Sequence, residues 1–399
     1  MVSLYDLSLA ELTEFLSGLG ERPFRARQLY AWLYGKGEND FLKMTDVPAA
    51  ARLKLEGEAR TDDLFLAESV SSGDGQTTKH LFGTLDGNYI ETVFMKYKAR
   101  NSVCISTQAG CRMGCRFCAS GALGLVRSLT PSEMALQVIL AEREAGARTK
   151  NIVLMGIGEP LDNFENVKKF IENFTDDHGR DLSRRAITLS TCGLVPGIER
   201  LAVELPQVNL AVSLHAPNDE LRVQIMPVTK KYGVRDVVSA AWRHFEATHR
   251  RPTFEYALIK GFNDGKEHAA ELAGLLKGMN CIVNLIPLNG NQGSGARDQE
   301  PESRGSILLP AHIKFRGQGS GVRDQEPESR GSILLPAHIK CRDQGSSPDT
   351  AEWFRDELGR KAVPATVRKS LGADIEAACG QLRLGDRGQG SGVRKGLRD

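Results

Sequence analysis

From Ser102 onward the chain alternates short apolar runs with stretches of helical periodicity, and no other feature restricts its fold as tightly. The runs cover 102–107, 151–158, 186–193, 208–216, 253–261 and 281–289, with a further strand-like segment at 362–368. Near-continuous hydrophobic strands are buried on both faces, and strands that alternate with helices pair in parallel. The expected fold is α/β, a partial (β/α)6-type, TIM-like barrel. Barrels of this kind place their chemistry where the strands end, and the polar residues of this chain cluster at those ends. One connecting helix has an explicit start: Thr130-Pro131-Ser132-Glu133 combines an N-cap, a proline at the first helical position and a carboxylate that reaches back.

The region before the barrel reads differently. Residues 1–70 are expected to form a small helical N-terminal domain, beginning with the capping-box pair Ser8 and Glu11 ahead of Leu12, Phe15 and Leu16. A second helix runs through 25–33. Its start, Arg22-Pro23-Phe24-Arg25-Ala26-Arg27, reads either as a solvated helix face or as a nucleic-acid contact. A β-hairpin linker follows over 71–101, with Asp86-Gly87 as a two-residue turn between runs at 77–85 and 88–97. The barrel core is placed at 102–289.

Residues 290–347 interrupt the alternation. The segment 292–314 recurs as 318–340 with Ala296 replaced by Val322, and a fragment returns at 387–394. Two Gly- and Arg-rich copies lack the repeated apolar face that a solenoid stacks. They read as a duplicated, disordered insertion. The core is expected to resume over 348–385 and to end in a flexible tail, 386–399. A net charge of +2 over 399 residues is too small to argue for nucleic acid by itself. No apolar run reaches membrane-spanning length and no signal segment opens the chain, so a cytoplasmic, membrane-free protein is expected. In a reducing compartment its eight cysteines are more readily ligands or nucleophiles than disulfides.

Three of them lie on one loop, Cys111-Arg112-Met113-Gly114-Cys115-Arg116-Phe117-Cys118, spaced C-x3-C-x2-C. Cubane iron–sulfur clusters usually take four thiolates. A loop with three leaves one iron open, able to chelate the amino and carboxylate groups of S-adenosylmethionine (SAM). A structural zinc site would need a fourth protein ligand and paired knuckles, and neither a second Cys pair nor a nearby His supplies them.

Gly156-Ile157-Gly158-Glu159-Pro160, Ser190-Thr191-Cys192-Gly193, Ser213-Leu214-His215 and Asn289 close four of the strands. Singly, each has a plain reading: a strand-end turn, or a satisfied histidine at the core edge. Together they describe a binding site. Glycines let a ligand approach the backbone, and Glu159 can accept from an ammonium group. Cys104, on the first barrel strand, and Cys379, beyond the last, would ordinarily be inert buried residues. Glu91, on the hairpin, would ordinarily be a solvated carboxylate.

In chain order, Glu91-Thr92-Val93, 104–111, the cysteine loop, 155–160, 190–193, 213–219, 283–289 and 374–381 together resemble one family. It is the RlmN/Cfr family of radical-SAM RNA methyltransferases, most closely its RlmN branch, and the resemblance covers about 1–289 and 348–385. It implies a radical-SAM barrel that methylates C2 of adenine in 23S rRNA and tRNA. It implies one [4Fe-4S] cluster on Cys111, Cys115 and Cys118, two SAM per turnover, and SAM contacts at Gly158, Glu159, Ser190, Ser213, Leu214, His215 and Asn289. Three catalytic residues follow from the same match. Cys379 is methylated by one SAM; the 5′-deoxyadenosyl radical from a second takes hydrogen from that methyl, and the carbon radical adds to C2. Glu91 then removes the C2 proton, and Cys104 releases the adduct by a disulfide with Cys379. An external reductase is the implied electron donor and a monomer the expected state, with the N-terminal domain as an RNA-binding accessory. The alternatives are the Cfr-type activity at adenine C8, or an iron–sulfur RNA-binding protein inactivated by the insertion.

Overall fold

The computed structural model describes residues 1–121, 124–287, 345–368, 371–375 and 377. Both repeat copies, Asn289, Cys379 and the tail lie outside these residues, whereas 345–347, assigned to the insertion from the sequence, lie within them. At the N-terminus, β1 (Val2–Ser3) pairs in parallel with β2 (Ala59–Arg60) around α1 (Leu9–Gly18), α2 (Phe24–Tyr30) and α3 (Ala49–Glu58). The Ser8–Glu11 capping box forms as expected: the Ser8 N–H donates to Glu11 Oε2 at 2.7 Å and the Glu11 N–H to Ser8 Oγ at 3.3 Å. A π-helical turn, Ala31–Lys36, follows α2 and presents Tyr34 to Tyr5 and Tyr30 in a buried aromatic cluster.

Helical structure ends earlier than expected. Beyond Glu58 the chain turns extended, and β3 (Leu64–Ser71) pairs antiparallel with β4 (Thr77–Thr84), which in turn pairs with β5 (Tyr89–Lys96). Residues 64–70 therefore belong to the sheet and not to the helical domain. β3 is an edge strand, mostly exposed and bulged between Leu66 and Glu68, so the alternation that marks a half-buried strand is faint in it.

β5 runs antiparallel to β6 (Asn101–Cys104), and from β6 the sheet becomes parallel. β7 (Gln108–Gly110) and β8 (Leu125–Ser128) form a separate two-stranded ribbon. The main sheet continues through β9 (Asn151–Leu154), β10 (Ile187–Thr191), β11 (Asn209–Ser213), β12 (Thr253–Leu258), β13 (Ile282–Pro287) and β14 (Ala365–Val367), each parallel to the one before. All six expected barrel strands are present, and the late segment at 362–368 supplies a seventh.

The connecting helices are α4 (Pro131–Ala145), α5 (Phe164–Phe174), α6 (Val195–Glu204), α7 (Asp219–Ile225), α8 (Val234–Thr248), α9 (Lys266–Leu275) and α10 (Pro348–Arg360). Helix α4 begins at the capping box expected for it. Its first turn also docks the N-terminal domain. The Asp6 carboxylate accepts the Ser132 N–H at 2.8 Å, where a helix N-terminus favours an anion, and the hydroxyls of Ser3 and Ser132 both donate to buried Asp63.

Across the insertion the fold resumes without a break in register. Gly345 bridges to Ile259 beside β12, the Ser346 hydroxyl donates to Asp264 at 2.6 Å, and α10 then packs on β13. Among the described residues, no helix is long and apolar enough to cross a membrane.

Candidate active site

The ribbon β7–β8 closes the loop that carries the three cysteines. Only glycine fits at its base: Gly110 has φ +77°, and a Cβ there would stand 2.0 Å from the Gly124 carbonyl oxygen. The Cys111 N–H donates to that same oxygen at 2.9 Å, and the Arg116 N–H donates to the Ile225 carbonyl at 2.9 Å, pinning the loop to the end of α7. Burial pushes the Cys111 thiol up to about 12 and the Cys115 thiol higher, so a metal cation must offset the charge for these groups to ionise.

The loop's geometry speaks to which metal fits. Among the described residues, the group of three His, Cys, Asp or Glu ligand atoms within 4.8 Å of one another is Asp176, Asp177 and His178. The three loop thiols are spread wider. A single tetrahedral zinc at ~2.3 Å would hold its sulfurs roughly 3.8 Å apart, whereas a cube separates the thiolates at its corners. Three thiols on one loop are a donor set that suits a cluster with one iron left open.

A cavity of about 150 Å³ opens between the loop and the strand ends, lined by Cys111, Cys115 and Cys118 on one side and by residues from β9 through Arg368 on the other. Parallel strands lie about 4.8 Å apart, so the five steps from β9 to β14 would span roughly 24 Å if flat. One small cavity touching both ends means that the sheet curls around it.

Gly158, Glu159, Ser190, Ser213 and His215 all line this cavity. At Gly158, φ is +108° and a Cβ would meet the Gln108 side chain at 2.6 Å. Glu159 is buried; its carboxylate accepts the N–H groups of Leu161 at 3.0 Å and Cys192 at 2.8 Å, tying the β9 end to the β10 end. Burial raises its pKa. His215 Nδ1 accepts the Ala257 N–H at 3.0 Å, which leaves the proton on Nε2, and burial lowers its pKa to about 3. It is thus both a satisfied core-edge histidine and a cavity wall. Leu214 is not in the wall: it is fully buried, and its carbonyl accepts from Arg222. Asn289 is beyond the described residues.

Glu91 and Cys104 come together through register. Val93 stands opposite Cys104, and Leu81 opposite Glu91, so Glu91, Val93 and Cys104 share one face of the sheet. Lys79, on the same face, sits with Nζ 3.0 Å from Glu91 Oε1. Cys104 packs with Val93, Met95 and Ile157, and Leu371 and Ala377 close over this cluster. Met155 belongs to both the cluster and the cavity. Asp374 tethers the closing segment, accepting the Gly73 N–H at 2.9 Å.

Sequence reasoning missed Arg222. It is fully buried on α7 and donates to the carbonyls of Leu214 (2.9 Å), Ser213 (3.0 Å) and Cys192 (2.6 Å), holding two strand ends beside the cysteine loop. In Asp219–Ile225 it reads as part of a solvated charged face. Glu255 and Arg368, also in the cavity wall, carried no sequence signal beyond their strands.

Residues 105–273 match the Radical SAM superfamily, and residues 2–60 match the Ribosomal RNA large subunit methyltransferase N-terminal domain. A radical SAM methyltransferase from Sphaerobacter thermophilus superposes with a TM-score of 0.81 at 40% identity, covering 96% of this chain and 99% of that one. Fold and cysteine loop together define a radical SAM methyltransferase. Two relatives carry the name "Probable dual-specificity RNA methyltransferase RlmN". That of Desulforamulus reducens is 42% identical over 382 residues, 96% of each chain, and that of Pelotomaculum thermopropionicum 44% over 384 residues, 96% of this chain and 91% of the relative. The chain belongs to the RlmN family.

Proposed function

We propose that this radical SAM methyltransferase methylates C2 of adenine in 23S rRNA and tRNA, with Glu91, Cys104 and Cys379 as catalytic residues. The observation that carries the reading is the shared sheet face of Glu91 and Cys104, which adjoins the cavity through Met155. Adenine C2 is electron-poor and bears no acidic proton, so polar alkylation by SAM cannot proceed there. One [4Fe-4S] cluster on Cys111, Cys115 and Cys118, when bound, supplies the electron that cleaves SAM. Glu159, Ser190, Ser213 and His215 orient SAM, two molecules of which serve each turnover.

The remaining steps fall to side chains of this chain. Cys379 carries the methyl group. It follows Ala377 by two residues, and two extended residues span about 7 Å, so the packing of Ala377 on the Cys104 cluster supports a meeting of the two sulfurs. Glu91, with Lys79 as its charge partner, removes the C2 proton. The Cys104 thiolate attacks the Cys379 sulfur; the bond from that sulfur to the methylene on C2 breaks, and its electron pair takes up a proton to leave a methyl group. An external reductase reduces the resulting disulfide and feeds the cluster. The helical N-terminal domain serves as an RNA-binding accessory, the core over 102–289 and 348–385 is catalytic, and a monomer suffices because each of these residues comes from one chain.

Anaerobic reconstitution with 23S rRNA fragments or tRNA, followed by nucleoside mass spectrometry, tests the reading. The expected product is 2-methyladenosine with 5′-deoxyadenosine. Methyl at C8 would move the chain to the Cfr-type reaction, and RNA binding without 5′-deoxyadenosine would make it an inactive binder.

A further inference from the structure

Glu255 on β12 is a buried carboxylate that the proposed chemistry leaves without a task. It lines the cavity together with Ser213, Ala257, Ile286 and Arg368. Its Oε2 accepts from Asn284 Nδ2 at 2.8 Å, and Asn284 Oδ1 accepts from the Thr366 hydroxyl at 3.2 Å. A chain of hydrogen bonds from β14 through β13 therefore fixes the orientation of the carboxylate on β12. Burial raises the Glu255 pKa, while the charge of Arg368 and the Asn284 hydrogen bond act the other way.

The cavity thus holds two buried carboxylates on separate strands, Glu159 just past the end of β9 and Glu255 within β12. Glu159 follows β9 by the cysteine loop, and Glu255 stands three strands away. The ends of β10 and β11 between them add Ser190, Thr191, Ser213 and His215 to the wall, and Met155, Phe117, Met226 and Ile286 supply its apolar part. That pattern suits a ligand with an ammonium group at one end and hydroxyls at the other. A carboxylate is a known acceptor for ribose hydroxyls in nucleotide-binding folds.

We propose that Glu255 accepts the ribose hydroxyls of SAM, through the carboxylate oxygen that Asn284 does not occupy, and sets selectivity for the ribose form. The inference rests on the reading that this cavity binds SAM. A site built to bond a hydroxyl rejects the analogue lacking it, because the acceptor is left buried and unpaired.

The test is equilibrium binding of SAM and of its 2′-deoxyribose analogue to cluster-reconstituted protein, without reductant or RNA, so that no turnover occurs. Wild-type protein should bind SAM at least about tenfold more tightly than the deoxy analogue. Glu255→Gln, with unchanged cluster absorbance and circular dichroism, should weaken SAM binding about tenfold and leave the analogue nearly unaffected, so the preference collapses. Equal weakening of both ligands, or a retained preference, would overturn the proposal. So would a wild-type protein that binds both ligands equally well, whatever the variant does. A wild-type protein that binds neither ligand refutes the SAM cavity itself, which is a different failure.

Discussion

Lys79 and Glu91 form an ion pair across the β4–β5 hairpin, Nζ to Oε1 at 3.0 Å, with side chains only 17% and 10% exposed. The pair sits on the same sheet face as Cys104, so a charge partner is built into the ground behind the proposed base. Lys79→Met leaves that carboxylate buried without its cation, a change that costs about 3 kcal/mol. Urea denaturation should register the loss. Glu91→Gln keeps an acceptor for Lys79 but not the charge, so it should lose less stability, and it should accumulate a covalent RNA–protein adduct on denaturing gels; ready release of product by this variant would remove Glu91 from the base role.

The two cysteines proposed as catalytic should fail in different ways. Cys104→Ala should trap RNA on the protein, since the adduct loses its route of release. Cys379→Ala should form no adduct at all while the cluster still assembles. Free methylated RNA at normal yield from either variant would contradict the assignment.

Arg222 clamps four carbonyls, those of Leu214, Cys192, Ser213 and Tyr232, with one guanidinium. Arg222→Met strands those acceptors in the interior and should destabilise the protein by about 3–5 kcal/mol in chemical denaturation. Arg222→Lys keeps the charge but loses the fork. It should fold, and bind SAM about tenfold more weakly, because the ends of β10 and β11 are no longer held together. Unaltered SAM affinity would confine Arg222 to a role in folding.

Metal-free protein should lose stability at high pH. Burial raises the Cys111 thiol from 9.0 to about 12, so the fold holds this proton more tightly than the unfolded chain does. The contribution is fully present below pH 9 and is lost as pH rises from 9 toward 12. Thermal denaturation of the apoprotein between pH 8 and 11 should show the decline, and Cys111→Ser should flatten it. Iron removal should also bleach the brown absorbance, as should replacing Cys111, Cys115 or Cys118. Stoichiometric zinc in anaerobically purified protein would count against the cluster.

Deleting 292–343 should leave folding and SAM binding unchanged. The chain leaves β13 at Pro287 and is already anchored to Ile259 and Asp264 at 345–346, and loop length enters stability only logarithmically. A collapse of the melting transition would show that the insertion is structural.

Much of this protein was determined by local pattern alone. The apolar runs identified every parallel strand of the main sheet, the Ser8 and Thr130 caps set two helix starts, and the three-cysteine spacing pointed to an incompletely ligated cluster, because each signal is complete within a few consecutive residues. Three matters were decided only by tertiary structure. Leu64–Ser71 became a strand because β4 offered it a partner, not through its own faint alternation. Glu91 and Cys104 met because strand register, a long-range property, put them on one face. Arg222 and Glu255 became buried polar anchors because the sheet curls until distant strand ends wall a single cavity. In the sequence each is one charged residue among ordinary neighbours, and burial is a property that no short stretch of chain contains.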